Sequence, residues 1–405
     1  MTKTFLAGIR VCDLTWAGAG PFATKFLSDF GAEVIKVETA TRPDPVRLGG
    51  PFKDGVAGTN RSGYFASRNT GKQSIALNMK TEEGRKILTD LIKRSDVISN
   101  NFAYGVMERL GLSYNDVRAI KPDIIYLSMP LYANEGPATR MSGVGMSISS
   151  VSGLMYHTGY DEDHIVGPGT HYPDHAANPC HAAFAVIGAL RYRRQTGKGM
   201  NIDLSQVEST INFVGPAVLE TAATGDEPPV NGNRSRQDAP SGIFRAAGDD
   251  AWCAIEVKSD AGWQALAGAM GRSDLADRRE LATAAGRLAH ENELENVVGE
   301  WAKVRTPEDI CAALDRSGIV TARASSSKYL LTQDPQLSHR AYWQRIEHPE
   351  LGNSLYAHVP CKVDGQRVAL SRPPLFGEHT DQVLATVLGR SPEEIAALKG
   401  AEVLV

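Results

Sequence analysis

Apolar segments of strand length alternate with helical patterns along the first 130 residues. Strands are predicted at 9–15, 33–38, 74–77, 96–100 and 123–129, and helices at 21–30, 82–94 and from 113 onward. Strands that alternate with helices in this way form a mainly parallel sheet with helices on both faces. The pattern therefore predicts an α/β fold, in which ligands lie beyond the carboxyl ends of the strands.

Two of the predicted helices carry recognisable end signals. Ser113 begins an S-x-x-D sequence that resembles a capping box. Asn178 and Pro179 are expected to start a long helix that Gly197 ends. A strand and a further helix are expected next, at 200–204 and 206–219.

The composition of the chain changes after this region. Residues 221–241 are rich in Gly, Pro, Asn and Arg, which is typical of a linker. A strand at 251–257 and helices at 262–271 and 291–301 then predict a smaller α+β unit. The expected organisation is a Rossmann-like large domain and a smaller domain joined by long linkers: 1–220 large domain, 221–241 linker, 242–325 small α+β domain, 326–345 linker, and 346–405 a C-terminal segment that returns to the large domain.

The overall composition is that of a soluble globular protein. Of the 405 residues, 42% are hydrophobic and 22% charged, and the longest apolar stretch, 181–190, is far shorter than a membrane-spanning helix. The first residues contain no apolar signal core, so a cytoplasmic location is expected. Five scattered cysteines without a C-x-x-C pair argue against a disulfide framework or a structural zinc site. A net charge of −4 predicts no general attraction to nucleic acid.

A glycine-rich turn follows the first predicted strand. Gly18 and Gly20 fit the G-x-G-x-x-A pattern of dinucleotide-binding turns, and Glu38 ends the next strand about 20 residues later. In such proteins the glycines let the pyrophosphate approach a helix N-terminus, and the acid binds the ribose. The alternative is a tight strand-to-helix turn that needs small residues for steric reasons alone. An NAD-dependent oxidoreductase is the hypothesis that this pattern by itself supports.

Histidine is unevenly distributed, because five of the ten fall within one short region. They are His157, His164, His171, His175 and His181. His171 and His175 have the i, i+4 spacing of a metal-binding helix, but Pro173 between them disfavours that helix. Two alternatives remain, a polar pocket that binds a carboxylate and ordinary loop histidines.

Asp174 lies just before the predicted long helix, in the segment GPGTHYPDHAANP at 167–179. On local evidence it is a turn or capping residue.

A series of further short motifs runs along the chain: VCDLTWAGAGP at 11–21, GAEVIKVE at 31–38, NTGKQSIALNMKT at 69–81, NF at 101–102, RLG at 109–111, RQTGKG at 194–199, DLSQVE at 203–208 and PPLFGEHT at 373–380. Taken together and in this order, they make the chain from Leu6 onward resemble the class III CoA-transferases (CaiB/BaiF type), which include formyl-CoA transferase.

The resemblance implies that Asp174 is the catalytic residue. It also implies CoA-binding positions at Ala17, Gly18, Ala19, Lys72, Leu77, Met79, Asn101, Phe102 and Arg109. Lys72 and Arg68 are candidate partners for the CoA phosphates, and a solvated surface position is the alternative for each. A substrate pocket is expected around Trp16, Tyr132, His171 and His175. No metal and no permanently bound cofactor are implied, because CoA and acyl-CoA are substrates.

Two departures from formyl-CoA transferase bear on the ligands. That enzyme has an arginine where this chain has Thr39, so Arg42 or Arg47 is expected to supply an adenine contact instead. At 143–146 the chain lacks the polar residues that the formyl and oxalate enzymes direct at a small diacid. This difference predicts a roomier acceptor pocket.

The chemistry that the resemblance implies suits an aspartate. An unperturbed aspartate has a pKa of about 3.9, so Asp174 would be an anion near neutral pH and would need no base to become a nucleophile. It would attack an acyl-CoA thioester to give a mixed anhydride, and the CoA thiolate would return to form an aspartyl-CoA thioester. The acceptor carboxylate would repeat these steps in reverse. Gly167 and Gly169 would allow the close backbone approach that oxyanion stabilisation requires.

Other functions remain open at this stage. α-Methylacyl-CoA racemases of the same fold use a matching aspartate and a histidine in an upstream G-H-D segment, which here reads GVG at 143–145. In a racemase, His157 or His171 would have to replace that histidine. Intramolecular CoA transfer within one dicarboxylate and a non-catalytic partner subunit are further alternatives. The resemblance also implies an interlocked homodimer, with crossing linkers at 221–241 and 325–345.

Overall fold

The computed structural model of the chain describes residues 5–161, 163–315 and 317–404. These residues fall into two compact units. The first unit comprises residues up to 155, 167–227 and 339 onward, and the second comprises 156–166 and 228–338.

The first unit is built on a parallel sheet. Its strands, within the described residues, are β1 (Arg10–Asp13), β2 (Glu33–Glu38), β3 (Gln73–Ala76), β4 (Val97–Asn100), β5 (Ile125–Ser128) and β6 (Met200–Asp203). They lie in the order β3-β2-β1-β4-β5-β6, and every neighbouring pair is parallel. The predicted α/β, Rossmann-like fold is thereby confirmed. Because the order reverses between β1 and β4, the loops after these strands diverge and leave a crevice at their carboxyl ends.

Helices cover both faces of this sheet. In chain order they are α1 (Ala19–Asp29), α2 (Gly63–Arg68), α3 (Glu82–Lys93), α4 (Val106–Arg109), α5 (Tyr114–Ile120), α6 (Gly145–Val151), α7 (Tyr172–His175), α8 (Ala177–Thr196), α9 (Gln206–Ile211) and α10 (Gly215–Thr224), with 3-10 turns at Pro45–Arg47, Lys53–Gly55 and Asn212–Val214. Alternate strand residues point to opposite faces. Ile35 of β2 therefore shares a buried cluster with Leu91 of α3, whereas its neighbour Val34 shares one with Leu27 of α1.

Of the helix ends expected from the sequence, two are confirmed and one is wrong. Ser113 and Asp116 form the capping box of α5, and Gly197 ends α8 with a φ of 72°. The expected start of α8 at Asn178 is wrong, because the helix already begins at Ala177. The Asn178 side chain donates instead to Gln206 Oε1 at 3.3 Å, which ties α8 to α9.

The second unit has a small antiparallel sheet. Within the described residues its strands β7 (Ser241–Arg245), β8 (Trp252–Glu256) and β9 (Val320–Arg323) lie in that order. Its helices are α11 (Asp260–Ala269), α12 (Ser273–Ala276), α13 (Ala284–Ala289), α14 (Glu291–Lys303), α15 (Pro307–Leu314) and α16 (Ser327–Thr332), followed by α17 (Pro335–His339) at its boundary, with a 3-10 turn at Arg279–Leu281. The core of this unit surrounds the fully buried Trp263.

The segments that composition identified as linkers contain regular structure. Helix α10 continues to Thr224, because the helix-terminating residue is Gly225, with a φ of 82°. The segment 326–345 contains α16, which Ser326 caps by accepting a hydrogen bond from the Tyr329 N–H. A composition averaged over a window hides such short helices, since one residue is enough to start or end each of them.

The chain after residue 339 packs in the first unit. It forms a hairpin of β10 (Trp343–His348) and β11 (Gly352–Ala357), and then α18 (Thr380–Thr386) and α19 (Pro392–Gly400). Leu384 and Ile395 of these helices share the buried cluster of Ile35 and Leu91. Among the helices in the described ranges, none is long and apolar enough to cross a membrane.

Candidate active site

A cavity of about 520 Å³ lies at the crevice of the first unit. Its lining comes mainly from the loops that follow β1, β2, β3 and β4, where a parallel sheet of this order places ligands. Many of the residues proposed from the sequence line it together: Trp16, Ala17, Gly18, Ala19, Met79, Asn101, Phe102 and Asp174. The order of the strands thus brings together residues that are up to 158 positions apart in the sequence.

Asp174 reaches this cavity from α7, a single helical turn that immediately precedes α8. Its backbone N–H donates to the His171 carbonyl oxygen at 3.0 Å. Its side chain is buried, with the residue only 9% exposed, and no ion pair to Asp174 occurs among the described residues. A carboxylate that is buried without a salt bridge is unusual in a folded protein and is typical of a functional group.

Two glycines enclose the Asp174 carboxylate. A Cβ added to Gly18, the residue before α1, would stand 2.7 Å from Asp174 Oδ2. One added to Gly145, the first residue of α6, would stand 3.0 Å from the same oxygen and 2.6 Å from His171 Cβ. Only glycine fits at either position without displacing the carboxylate. Gly167 and Gly169, from which a close backbone approach was expected, do not have Asp174 among the nearest neighbours of a Cβ built on them.

Burial changes the acidity of Asp174. Loss of contact with water raises its pKa to about 6, although His171, Arg68 and a hydrogen bond from the Gly145 N–H favour the charged form. The unperturbed value assumed from the sequence is therefore too low. At pH 7 the anion still outnumbers the acid by roughly ten to one. Asp174 thus remains a nucleophile at neutral pH, and a more basic one than an exposed aspartate.

The loop that carries Trp16 and Ala17 is held from two sides. The Trp16 N–H donates to Asn101 Oδ1 at 2.8 Å, and Asn101 Nδ2 donates to the Trp16 carbonyl oxygen at 2.8 Å. The Ala17 N–H donates to Asp44 Oδ1 at 3.0 Å. Ala17 has a φ of 60°, a left-handed conformation that costs a non-glycine residue about 1 kcal/mol or more. The surrounding hydrogen bonds stabilise this conformation.

Asp44 is itself fixed by a buried ion pair. Lys36 Nζ lies 2.9 Å from Asp44 Oδ2, and both side chains are fully buried. The same ammonium group donates to the Thr15 carbonyl oxygen at 2.6 Å. Lys36 and Asp44 were not identified from the sequence, where a lysine inside a predicted strand gave no sign of such a partner.

Aromatic rings and two exposed cations surround the mouth of the cavity. Trp16 and Phe102 meet edge to face with ring centroids 5.3 Å apart, and the Arg42 guanidinium lies 4.9 Å from the Trp16 ring centroid. Lys80, which follows β3, also lines the cavity. Of the two arginines considered as replacements at Thr39, Arg42 therefore lines the site.

Arg47 is committed elsewhere. It is fully buried, and its Nε and Nη2 atoms donate to the two carboxylate oxygens of Glu38 at 2.8 Å each. The dinucleotide hypothesis requires Glu38 to bind a ribose. Because Arg47 occupies both of its carboxylate oxygens, Glu38 is not available for that contact. A Cβ on Gly20 would stand 2.5 Å from Thr15 Cβ, so this glycine serves the packing of α1 against the β1 loop. The G-x-G-x-x-A pattern is thus the steric turn that was its alternative interpretation.

Some residues proposed for CoA binding do not line the cavity. Lys72 is buried, with its Nζ 3.0 Å from Asp13 Oδ2, and it also donates to Thr24 Oγ1 at 2.7 Å. Leu77 is fully buried in the core between the sheet and α3. Arg109 is exposed on α4, near the cavity-lining Val106. For Lys72 the expectation of a phosphate contact is wrong, because its ammonium group is enclosed by protein atoms.

The five clustered histidines have different surroundings. His157 and His164 belong to the second unit, and the Nδ1 of His181 lies 2.6 Å from Ser209 Oγ. Only His171 and His175 flank Asp174, and His171 Nδ1 is buried without a hydrogen-bond partner in the described residues. Across the described ranges, no group of three or more His, Cys, Asp or Glu side chains is placed to hold a metal ion.

Tyr132, proposed for the substrate pocket, lies outside the cavity. It packs against the buried cluster of Leu131, Ile148 and Val207. Conversely, Gly145, Lys80 and Asp44 line the site or support it, although none of them was predicted from the sequence to contact Asp174 or CoA. For Gly145 a signal existed, since the segment GVG at 143–145 stands out as small, but the sequence does not say which side chain it meets.

Comparison with known proteins gives a consistent result. A family model described as CoA-transferase family III matches residues 6–380. The chain is 31% identical to a formyl-CoA:oxalate CoA-transferase of Streptomyces coelicolor, over 100% of both proteins. It is 29% identical to a succinyl-CoA:glutarate CoA-transferase of Homo sapiens, over 98% of this chain and 90% of that protein. A CaiB/BaiF family protein from Brucella suis has a similar structure, with a TM-score of 0.86 at 28% identity, covering 95% of this chain and 99% of that one.

Proposed function

Because the chain belongs to CoA-transferase family III, and is therefore an enzyme that transfers CoA, we propose that Asp174 is the residue that receives first an acyl group and then CoA. The observation that carries this proposal is the buried, unpaired Asp174 carboxylate enclosed by Gly18 and Gly145 in the cavity. The proposed substrates of the enzyme are an acyl-CoA, which donates CoA, and a free carboxylic acid, which accepts it.

In the first half of the reaction an Asp174 oxygen attacks the thioester carbon of the acyl-CoA. A C–O bond forms and the C–S bond breaks, which gives a mixed anhydride and CoA thiolate. The thiolate then attacks the Asp174 carbonyl carbon, so that the donor leaves as a free carboxylate and an aspartyl-CoA thioester remains. The acceptor carboxylate reverses both steps, and no proton is gained or lost.

Each carbonyl addition creates an oxyanion that needs hydrogen-bond donors. The backbone N–H groups of Gly18 and Ala19 lie at the N-terminus of α1, where the first N–H groups of a helix have no helical acceptor. Both residues line the cavity beside Asp174. Donors fixed in this way favour the charged transition state without having to reorganise. Burial of Asp174 also limits the access of water that would hydrolyse the anhydride.

The cavity offers a chemically suitable path for CoA. Arg42 and Lys80 supply positive charge at the mouth for phosphate groups, and the Trp16 and Phe102 rings supply an apolar wall. The reactive end of CoA would extend from these residues to Asp174. No resident cofactor is needed for this chemistry, because the thioester and the carboxylates carry every group that moves.

The acceptor is proposed to be larger than oxalate. Val144 and Gly145, which stand where related enzymes direct polar residues at a small diacid, present little polar surface to a substrate. Relatives that match nearly the whole chain are named for acceptors of different sizes, including glutarate and D-citramalate. The same segment supplies no histidine, so a racemase would have to use His171, which flanks Asp174, as its second proton carrier.

A homodimer in the reducing environment of the cytoplasm is the proposed working form. Helix α8 exposes Phe184 at 79%, and Leu219 of α10 is 72% exposed, so each helix presents apolar surface that a second chain would cover. The cysteines of the described chain are free thiols, as a reducing compartment favours. Light scattering of the purified protein tests the dimer, and a monomer at micromolar concentration would contradict it.

Trapping the covalent intermediate tests the mechanism. The enzyme is incubated with formyl-CoA, succinyl-CoA and acetyl-CoA, treated with hydroxylamine or borohydride, and digested for mass spectrometry. A modified Asp174 is expected with at least one donor, and the Asp174→Asn variant should carry no adduct while still binding CoA. An adduct on another residue, or ordinary turnover by Asp174→Asn, would contradict the proposal.

A further inference from the structure

A second cavity, of about 660 Å³, begins at the residue next to Asp174. Its lining in the first unit includes Phe22, Arg68, His175, Cys180 and Tyr356. The first cavity contains Asp174 but not His175, and the second contains His175 but not Asp174. Two neighbouring residues of α7 thus each line a cavity, and the proposed CoA site accounts for only one of them.

Arg68 is the cation in the lining of this cavity that forms no ion pair among the described residues, whereas Lys25 and Lys53, which also line it, pair with Asp29 and Asp54. It is only 8% exposed, and its guanidinium stacks 3.7 Å from the centroid of the Tyr64 ring. Its hydrogen bonds go to neutral groups: Nη1 donates to Ser67 Oγ at 2.6 Å, and Nη2 donates to His175 Nε2. Nε has no hydrogen-bond partner, and no carboxylate lies within ion-pair distance of Arg68 in the described residues. A buried cation without a contacting anion is costly, and this cost suggests a missing ligand.

His175 supplies Arg68 with no negative charge. Burial, together with the charges of Arg68 and His171, lowers the pKa of His175 to about 4. The ring is therefore neutral at physiological pH and can only accept a hydrogen bond from the guanidinium. The Tyr64 hydroxyl lies 3.4 Å from His175 Nε2 and also brings no negative charge to Arg68.

Asp174 is the nearby anion that influences Arg68 from a distance. Each of the two charges stabilises the other, since Arg68 favours the carboxylate and Asp174 favours the guanidinium. Helix α1 relates their positions. Gly18 lies against the Asp174 carboxylate, Arg68 lies 5.6 Å from the ring of Phe22, and the Phe22 N–H donates to the Gly18 carbonyl oxygen at 3.1 Å. The Asp174 carboxylate therefore lies against the start of α1, and the Arg68 guanidinium lies beside the ring of Phe22, which is in the first turn of the same helix.

We propose that Arg68 binds the non-reacting carboxylate of a dicarboxylic acid acceptor, and that this subsite becomes available when Asp174 is acylated. The proposal rests on the proposed function. In the free enzyme the Asp174 charge offsets that of Arg68. Conversion of Asp174 to its CoA thioester removes this negative charge, and Arg68 then attracts an anion. The acceptor is thus favoured in the state of the enzyme that is ready to react with it.

The chemistry explains why the distal carboxylate is the ligand. The reacting carboxylate forms a C–O bond to the Asp174 carbonyl carbon as the C–S bond breaks and CoA thiolate departs, so its charge is lost in the anhydride. When the thiolate attacks the acceptor acyl carbon, the anhydride C–O bond breaks and Asp174 recovers its charge. Only the distal carboxylate stays charged throughout. A permanently charged arginine matches this constant charge, and a diacid longer than oxalate can place its two carboxylates at two different side chains, Asp174 and Arg68.

Equilibrium binding tests this proposal without turnover. The uncharged Asp174→Asn side chain stands in for the acylated state. Calorimetry at pH 8 measures the diacids from oxalate to adipate on wild type and on Asp174→Asn. At least one diacid is expected to bind Asp174→Asn about tenfold tighter or more, and adding Arg68→Gln should abolish that gain. The exposed Arg118→Gln change, on α5, should leave the gain intact, and the monoacid of equal length should show none.

Two results would overturn the proposal: no diacid binds Asp174→Asn more tightly than wild type, or the gain persists with Arg68→Gln. If Arg68→Gln does not fold, Arg68→Lys replaces it; the gain should fall severalfold because the planar fork is lost, and an unchanged gain would count against the proposal. If an Asp174 adduct forms but no diacid binds Asp174→Asn more tightly than wild type, the role of Arg68 is refuted and the covalent mechanism stands. If a diacid binds more tightly but no Asp174 adduct forms, the covalent mechanism is refuted and the role of Arg68 stands.

Discussion

Gly18 lies so close to Asp174 that a Cβ at residue 18 would stand 2.7 Å from the carboxylate Oδ2. Carbon and oxygen atoms that are not bonded do not approach this closely without strain. The reactive carboxylate is therefore positioned against the first turn of α1, which also contributes cavity-lining backbone. This contact links the steric requirement for glycine directly to the chemistry of the site.

Gly18→Ala should lower kcat by about a hundredfold or more, because the added methyl group displaces the nucleophile from its attack position. Steady-state CoA transfer measures the effect. Gly268→Ala is the matched control: it lies within α11, and apart from its chain neighbours and the backbone of its own helix no described atom comes within 4 Å of the added carbon. The control should keep full activity. Equal activity of both variants would contradict the proposed position of the carboxylate.

Activity should fall as the pH drops through about 6. The pKa of Asp174 is raised to about 6 by burial, so protonation removes the nucleophile at a higher pH than for an exposed aspartate. Below this value kcat/KM is expected to decrease about tenfold per pH unit. A pH profile from 4.5 to 8, with circular dichroism at each point to verify folding, checks this. A midpoint near 4 would contradict the burial argument.

Asp174→Asn should stabilise the protein at pH 8 while abolishing transfer. A carboxyl whose folded pKa is raised destabilises the native state once the pH has risen through that pKa, since the unfolded chain ionises more readily. A shift from 3.8 to about 6 corresponds to up to about 3 kcal/mol in the free energy of unfolding. Urea unfolding should give that gain at pH 8 and little at pH 3.5. Equal gains at both pH values would indicate a different cause.

Arg42→Gln should weaken CoA binding by about tenfold, because a charged contact to phosphate and the stacking on Trp16 are both lost. Titration with CoA and with dephospho-CoA separates the phosphate contributions. Arg118→Gln, an exposed position on α5 that does not line the cavity, provides a charge-matched comparison that should bind CoA nearly as wild type does. If both variants lose CoA affinity equally, the change in net charge explains the loss and a specific Arg42 contact does not.

Lys72→Met should instead act on stability. It leaves Asp13 buried without its cation, which typically costs 3–5 kcal/mol. Urea unfolding should show a decrease of about this size, and the remaining folded protein should bind CoA with unchanged affinity. A large loss of CoA affinity in stably folded Lys72→Met would restore Lys72 as a ligand.

The fold was largely predictable because its signals are local. The strands of the parallel sheet and the box at Ser113 follow from periodicity and capping, which act over a few residues. The start of α8 was less predictable. Asn178 has the chemistry of a cap, but Gln206 on another helix provides a competing partner that no local pattern contains.

The sequence predicted several of the residues that form the site, but it did not predict what each residue contacts. Motif order identified Asp174 and Asn101, yet Lys72 and Arg68 looked alike as possible phosphate ligands. Both are buried, and the groups that contact them in the fold separate them: Lys72 has a contacting carboxylate, Asp13, whereas Arg68 has only neutral partners among the described residues. The expected pKa of Asp174 was wrong for the same reason, since desolvation depends on residues far away in the sequence.

The left-handed backbone at Ala17 has a consequence for how fast CoA associates. Because Asn101 and Asp44 fix the Trp16–Ala17 loop within the folded chain, this part of the surface exists before CoA arrives. Fixing one flexible backbone residue costs about 1–2 kcal/mol, and here that cost belongs to folding rather than to the encounter. We therefore expect CoA to dock on this loop as on a rigid template, with an association rate set by diffusion and charge.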